Sequence, residues 1–282
     1  MKKNTIKTIS FDVAPGVTIR GDAFGDASNP PVVLLHGGGQ TRKSWGHTAE
    51  ELANKGWYAI ALDLRGHGES DWSPDGLYQN LHFAKDLEQV IEQLGGSAVA
   101  VGASLGGMTS MLLAGDVNPG MVSKLVLVDV TPTLDHRGVN RILGFMRAYP
   151  DGFASLDDAA NVIAAYMPHR KRAKNHDGLK KNLTLGDDGR YHWHWDPKMV
   201  EEQNLQLDEE WMVAAAQKIK VPTLLVRGAM SDVVSEENVQ RFQELVPHAK
   251  YVNVQRVGHM VAGDDNATFT DATTHFLEEA SA

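Results

Sequence analysis

Ser104, His259 and two candidate aspartates are the residue types that together break acyl bonds, and each occurs where the surrounding pattern is unusual. The stretch "VGASLGGMTS" (101–110) sets Ser104 between Gly102 and Gly106, where an apolar run gives way to a helical pattern. A serine on a sharp strand-to-helix turn holds a strained backbone. Side chains two positions before and after it would collide with neighbouring elements, and glycine removes both collisions. The helix that follows directs free N–H groups and its positive dipole end at the place where an oxyanion would form. The hydroxyl becomes a nucleophile only beside a base that an acid orients. Among twelve histidines, His259 in "RVGHM" follows the last strand-like run, with Gly258 permitting a tight turn. His82, His248 and His275 fall on helical or turn segments and read as surface residues. For the acid, Asp232 ends the buried pattern "LLVRGAMSD" and Asp129 ends "LVLVDV".

These residues need a scaffold that brings distant positions to one rim, and the chain has its signature. Apolar runs at 30–38, 57–66, 97–104, 123–130, 221–232 and 249–259 alternate with helical patterns near 44–55, 79–94, 105–115, 235–246 and 267–280. The runs are continuous in Val, Leu and Ile, as expected of parallel strands buried on both faces. In an open parallel sheet the strand C-termini converge on one edge. The stretch 5–25 alternates around "PG" and predicts an antiparallel hairpin at one side.

Composition narrows the classes. The 282 residues carry a formal net charge of −9, which argues against nucleic acid or an anionic membrane as partner. There is no cysteine, so disulfides, thiolate zinc sites and cysteine nucleophiles are excluded. The opening residues lack the apolar stretch of a signal peptide, and no run reaches the roughly 18 apolar residues of a membrane span. The expectation is a cytoplasmic protein acting on a small molecule, with its oligomeric state open.

Four motifs together, "LLHGGGQ" (34–40), "DLRGHGES" (63–70), "VGASLGG" (101–107) and "GAMSD…GHM" (228–260), resemble the α/β-hydrolase superfamily in its lidded serine-hydrolase branch. That branch holds esterases, lactonases, carbon–carbon bond hydrolases, cofactor-free haloperoxidases and epoxide hydrolases. The resemblance covers 20–130 and 218–280. It implies an α/β fold with a mostly parallel eight-stranded sheet flanked by helices, and a catalytic triad of Ser104, Asp232 and His259 in that chain order. Asp129 is the alternative acid, because some members use that position; the turn "GAMSD" matches the commoner one. The resemblance also implies an oxyanion hole from the amides of Gly38 and Leu105, with His36 bracing its loop, and makes Asp63 and Arg65 scaffold residues. Epoxide hydrolases carry aspartate at the elbow, so Ser104 favours acyl transfer. The implied activity is hydrolysis of a small to medium carboxylic ester or lactone through an acyl-enzyme. The alternatives are carbon–carbon cleavage of ring-cleavage products, a perhydrolase or haloperoxidase-like activity, and a non-catalytic receptor on the same fold.

Between 131 and 215 the strand rhythm stops. This stretch reads as a mostly helical cap, with the hydrolase core in 1–130 and 216–282. Phe145, Met146, Tyr149, Met167 and Trp193 are its candidate pocket residues. The basic run at 169–181 reads as a solvated helix face. His192 and His194 in "YHWHWDP" lack a third ligand at recognisable spacing, so no metal is expected. No phosphate-binding or dinucleotide motif occurs, and no cofactor is implied.

Overall fold

The computed structural model describes residues 6–166, 179, 182–205, 208–255, 257–259 and 266–279. The strands are β1 (Lys7–Ala14), β2 (Val17–Phe24), β3 (Pro31–Leu35), β4 (Tyr58–Leu62), β5 (Ala98–Ala103), β6 (Val122–Val128), β7 (Leu183–Leu185), β8 (Tyr191–Trp193), β9 (Thr223–Gly228) and β10 (Lys250–Val254). The helices are α1 (Gly46–Asn54), α2 (Asn80–Gln93), α3 (Leu105–Leu112), α4 (His136–Arg147), α5 (Leu156–Tyr166), α6 (Glu209–Lys218), α7 (Glu236–Leu245) and α8 (Asn266–Glu278). Eight strands form one sheet in the order β1-β2-β4-β3-β5-β6-β9-β10. β1 and β2 are the antiparallel hairpin, β2 meets β4 antiparallel, and every pair from β4 to β10 is parallel.

Successive residues of a strand face opposite sides, so a continuous apolar run must feed two cores. Val33, Leu35, Ile60, Leu62, Ala100, Leu125, Leu127 and Leu225 enter one core with Phe83, Leu87, Val90 and Ile91 of α2 and Met212 of α6. Val32, Leu34, Ala59, Ala61, Val99, Val101, Val126 and Val226 enter the other with Leu52 of α1 and Phe269 and Phe276 of α8. Local signals start the helices where the packing needs them. Ser235 and Asn238 close a reciprocal capping box at the start of α7, and the Asp208 and Asp135 carboxylates accept backbone N–H bonds at the starts of α6 and α4.

The segment after β6 differs from expectation in two ways. It contains a two-stranded sheet, β7 against β8, joined through the turn at 186–189. Strands of three residues are too short to leave a period-2 pattern in the sequence. α6, which falls within the expected cap, packs on the core instead. A Cβ on Gly115, just beyond α3, would lie 2.0 Å from the Ala215 carbonyl oxygen. The segment above the sheet therefore lies between β6 and α6, with a small core of its own in Phe153, Ala159 and Leu183. Met167 and, apart from Leu179, the basic run 169–181 lie outside the described residues. No helix among the described residues is long and apolar enough to cross a membrane.

Candidate active site

Ser104 follows β5 directly and has φ +46°, ψ −112°, a left-handed conformation that a serine adopts at a cost of about 1–3 kcal/mol. Its surroundings hold it there. The Ser104 N–H donates to the Val128 carbonyl (3.1 Å), and the Ser104 carbonyl accepts from the Met108 N–H (2.9 Å). Both flanking glycines are dictated by space. A Cβ on Gly102 would lie 2.2 Å from the Gly106 carbonyl oxygen, and one on Gly106 would lie 2.5 Å from that of Leu35.

At the same rim His259 Nδ1 donates to Asp129 Oδ2 at 2.6 Å. Asp129 sits one residue beyond β6, fully buried, at φ +51°. Its carboxylate also accepts from the Gly228 N–H (3.0 Å) and the Ser231 hydroxyl (2.5 Å). Three donors on one carboxylate fix its orientation, each charged hydrogen bond contributing about 1.5–3 kcal/mol. With His259 Nδ1–H directed at Asp129, Nε2 is the ring nitrogen that can act as an acceptor.

Asp232, the carboxylate expected to orient His259, does not reach it. It is 41% exposed and pairs with Arg141 of α4 at 2.9 Å. The cause is the turn after β9: Ser231 N–H donates to the Gly228 carbonyl, which turns the Ser231 hydroxyl toward Asp129 and leaves Asp232 outside. The alternative weighed in the sequence, Asp129, holds the pairing. Ser231 was not foreseen; the only trace of it was a hydroxyl one residue ahead of the expected acid.

The amides of Gly38 and Leu105 have no hydrogen-bond partner among the described residues, and both residues line the same cavity as Ser104. The loop lies against the serine, since a Cβ on Gly37 would come within 3.3 Å of Ser104 Cβ. His36 braces it: fully buried, its Nδ1–H donates to the Gly37 carbonyl (2.8 Å) and its Nε2 accepts from the Leu64 N–H (3.0 Å). Burial pushes the His36 pKa down to about 3, so the ring stays neutral in that tautomer. The Gly37 carbonyl and the Gly38 N–H share one trans peptide and point to opposite sides. Holding the carbonyl on His36 therefore aims the N–H the other way.

The cavity, about 170 Å³, is walled mostly by apolar residues: Phe83, Met108, Ile142, Leu143, Met146 and Val233 are among them. Of the residues expected in a pocket, Met146 lines it. Phe145 stacks on Tyr166 (4.2 Å between centroids), Trp193 stacks on Trp195 (4.7 Å), and Tyr149 is exposed against Phe153. They pack the overlying segment rather than face the serine. Val139, Ile142, Leu143 and Met146 recur at helical spacing, a stripe that was present in the sequence.

Asp63 and Arg65 are tied to the scaffold. Asp63 accepts from the Arg42 amide (2.7 Å) and pairs with its guanidinium, and Arg65 forms a two-pronged ion pair with Asp86, both contacts at 2.5 Å. The two candidate metal histidines diverge. His192 pairs with Asp188 (2.9 Å), whereas His194 is buried and bonded to backbone of the 63–70 and 36–40 loops.

A parallel sheet carries on one rim a serine at a sharp strand-to-helix turn, a buried Asp–His pair and two amides without a partner among the described residues. The chain belongs to the alpha/beta hydrolase fold family, whose model matches residues 30–265. It is similar to esterase Rv0045c of Mycobacterium tuberculosis, 32% identical over 84% of this chain and 79% of that protein. A crystal structure of that esterase superimposes with a TM-score of 0.79 and 27% identity, covering 99% of this chain and 93% of the other. The sn-1-specific diacylglycerol lipase ABHD11 of Mus musculus is 29% identical over 90% of this chain and 82% of its own length. The fold is also that of E-2-(acetamidomethylene)succinate hydrolase, with a TM-score of 0.86 and 23% identity over 98% and 100% of the two chains.

Proposed function

We propose that this protein is a serine esterase that cleaves neutral carboxylic esters of small to medium size through an acyl-enzyme. The coarser statement stands on the relatives: an esterase and a diacylglycerol lipase share its fold and most of its length, and it is an ester-acting hydrolase. The observation that carries the finer reading is the His259–Asp129 hydrogen bond beside a strained Ser104.

In this reading Ser104 Oγ attacks the ester carbonyl carbon as His259 Nε2 takes its proton. The carbonyl oxygen becomes an oxyanion between the Gly38 and Leu105 amides, where one donor is worth about 3 kcal/mol to the transition state. The tetrahedral intermediate collapses, and the His259 proton passes to the departing alkoxide. A water molecule, deprotonated by the same nitrogen, then attacks the acyl-enzyme and releases the acid and Ser104. Asp129 orients His259 and stabilises its cationic form. The lining of the cavity supports an apolar acyl or alcohol chain, since no charged side chain occurs among its described residues.

Para-nitrophenyl esters of increasing chain length test this. Ser104→Ala is expected to lower kcat by at least about 10³-fold with an unchanged thermal melt. A variant retaining a tenth of the activity would require another nucleophile.

A further inference from the structure

His194 belongs to the overlying segment, one residue beyond β8, yet its ring lies between two loops of the core. It is 5% exposed. Its Nδ1 accepts from the Gly68 N–H at 2.9 Å, and its Nε2–H donates to the Gly39 carbonyl at 3.4 Å. Gly39 immediately follows Gly38, and its other backbone group is also held by an imidazole: the Gly39 N–H donates to His67 Nε2 at 3.1 Å. His67 Nδ1–H in turn donates to the Arg65 carbonyl (3.0 Å). His67 stands between the other two rings, 4.7 Å from His36 and 6.0 Å from His194 between centroids. Burial pushes the His194 pKa down to about 4 and that of His67 well below its ordinary value, so both rings are neutral near pH 7. A neutral imidazole has one donor and one acceptor, and here both are used on each ring. Trp195 and Met146 complete the enclosure, 3.5 and 3.7 Å from where a Gly39 Cβ would stand.

We propose that His194 is a positioning residue for ester hydrolysis: by holding the Gly39 carbonyl from above, it keeps the Gly38 amide aimed at the oxyanion site. The inference rests on the esterase reading given above. Without the His194 contact the Gly38–Gly39 peptides are gripped from the core side only. A glycine pair has backbone freedom that few other sequences have, so with the Gly39 carbonyl released the Gly38 amide, still tethered through His36, can tilt away from the serine. Misplacing one donor by about 1 Å costs on the order of 10²-fold in rate. Through His194 the segment over the cavity thereby contributes to the chemistry by a side chain that does not itself line the cavity.

The two nitrogens can be separated by substitution. Glutamine places its amide N–H close to the Nε2 position and can reach the Gly39 carbonyl. Asparagine places its oxygen close to Nδ1 and can serve only the Gly68 N–H. His194→Ala is expected to lower kcat on para-nitrophenyl acetate tenfold to a hundredfold with KM within about twofold. His194→Gln should recover most of the loss and His194→Asn little of it. Affinity for a trifluoromethyl ketone, which forms the oxyanion, should fall in step with kcat. Equal activity of the Gln and Asn variants, or wild-type kcat in all that melt normally, overturns the proposal. Should the alanine variant fail to fold, the Gln–Asn comparison still decides. Ser104→Ala separates the two readings: if it stays active, the esterase assignment itself falls. If it is dead while every His194 variant is fully active, only the positioning role falls.

Discussion

The rim of the sheet and the segment lying over it are held by different means. At the rim, backbone geometry decides: Ser104 and Asp129 both have positive φ, and Gly102 and Gly106 stand where no Cβ fits. The overlying segment is fastened chiefly by side chains, beside two backbone bonds, Asp135 N–H to the Val233 carbonyl (2.8 Å) and Asp196 N–H to the Gly66 carbonyl (2.9 Å). Asp232 pairs with Arg141, the Tyr78 hydroxyl donates to Asp196 (2.6 Å), and Asn204 donates to the Gly76 carbonyl (2.9 Å). A backbone-determined site tolerates almost no substitution, while a side-chain-fastened cover can change piece by piece. In the proposed esterase the contrast would separate where the reaction is fixed from where its substrate range can drift.

The largest expected effect tests which carboxylate belongs to the rim. Asp129→Asn should lower kcat by about 10³–10⁴-fold, because the amide favours the wrong imidazole tautomer. Asp232→Asn removes only a half-exposed tie to α4 and should stay within about threefold. A larger loss at Asp232 would reverse the assignment of the two regions. Next in size is Gly102→Ala, whose methyl would press on the backbone of Gly106. We expect a loss on the order of 3 kcal/mol, or roughly 10 °C in Tm by calorimetry. An unchanged melt would mean that the elbow is less constrained than its geometry requires.

The histidines that join the two regions set the acid limit of stability. His36, His67 and His194 are held neutral by burial, with His36 down to about 3 and His194 to about 4, against an ordinary 6.5. The unfolded chain therefore binds more protons below pH 6.5. Stability is fully present above that pH and declines as pH falls toward 4, by about 1.4 kcal/mol per pH unit for each ring. Chemical denaturation at pH 7, 6, 5 and 4.5 should show uptake of more than one proton on unfolding; a flat profile contradicts it. The smallest effect lies in the cover. Met146→Ala should raise KM for longer esters several-fold while acetate turnover stays near wild type. Equal effects on all chain lengths would remove Met146 from the cavity wall.

These regions also differ in how far the sequence revealed them. The sheet was legible because two-faced burial demands unbroken apolar runs, as in "AVAV" before Gly102 and "VLV" before Asp129. The elbow was legible because its glycines answer to contacts within a few residues or with an adjacent strand. The choice between Asp129 and Asp232 was not. Both follow buried strands, and the choice depends on a hydroxyl at Ser231 and on Arg141, 91 positions before Asp232 in the chain. The pocket was half legible. The stripe Val139, Ile142, Leu143 and Met146 marks the cavity face of α4, but large aromatics drew attention to Phe145, which turns to Tyr166.

Asp129 stands at the root of the overlying segment, and this has a mechanical consequence. Its amide donates to Val226 (2.7 Å), its carboxylate is held at three points, and Val130 and Thr131 behind it are buried. A hinge at that root would swing the acid away from His259 each time the cover lifted. The chain is instead riveted there, so any pivot must lie farther along, beyond Thr131. Any movement of the overlying segment would therefore leave the Asp129–His259 hydrogen bond in place, and in the proposed esterase a product could leave without that pair being rebuilt.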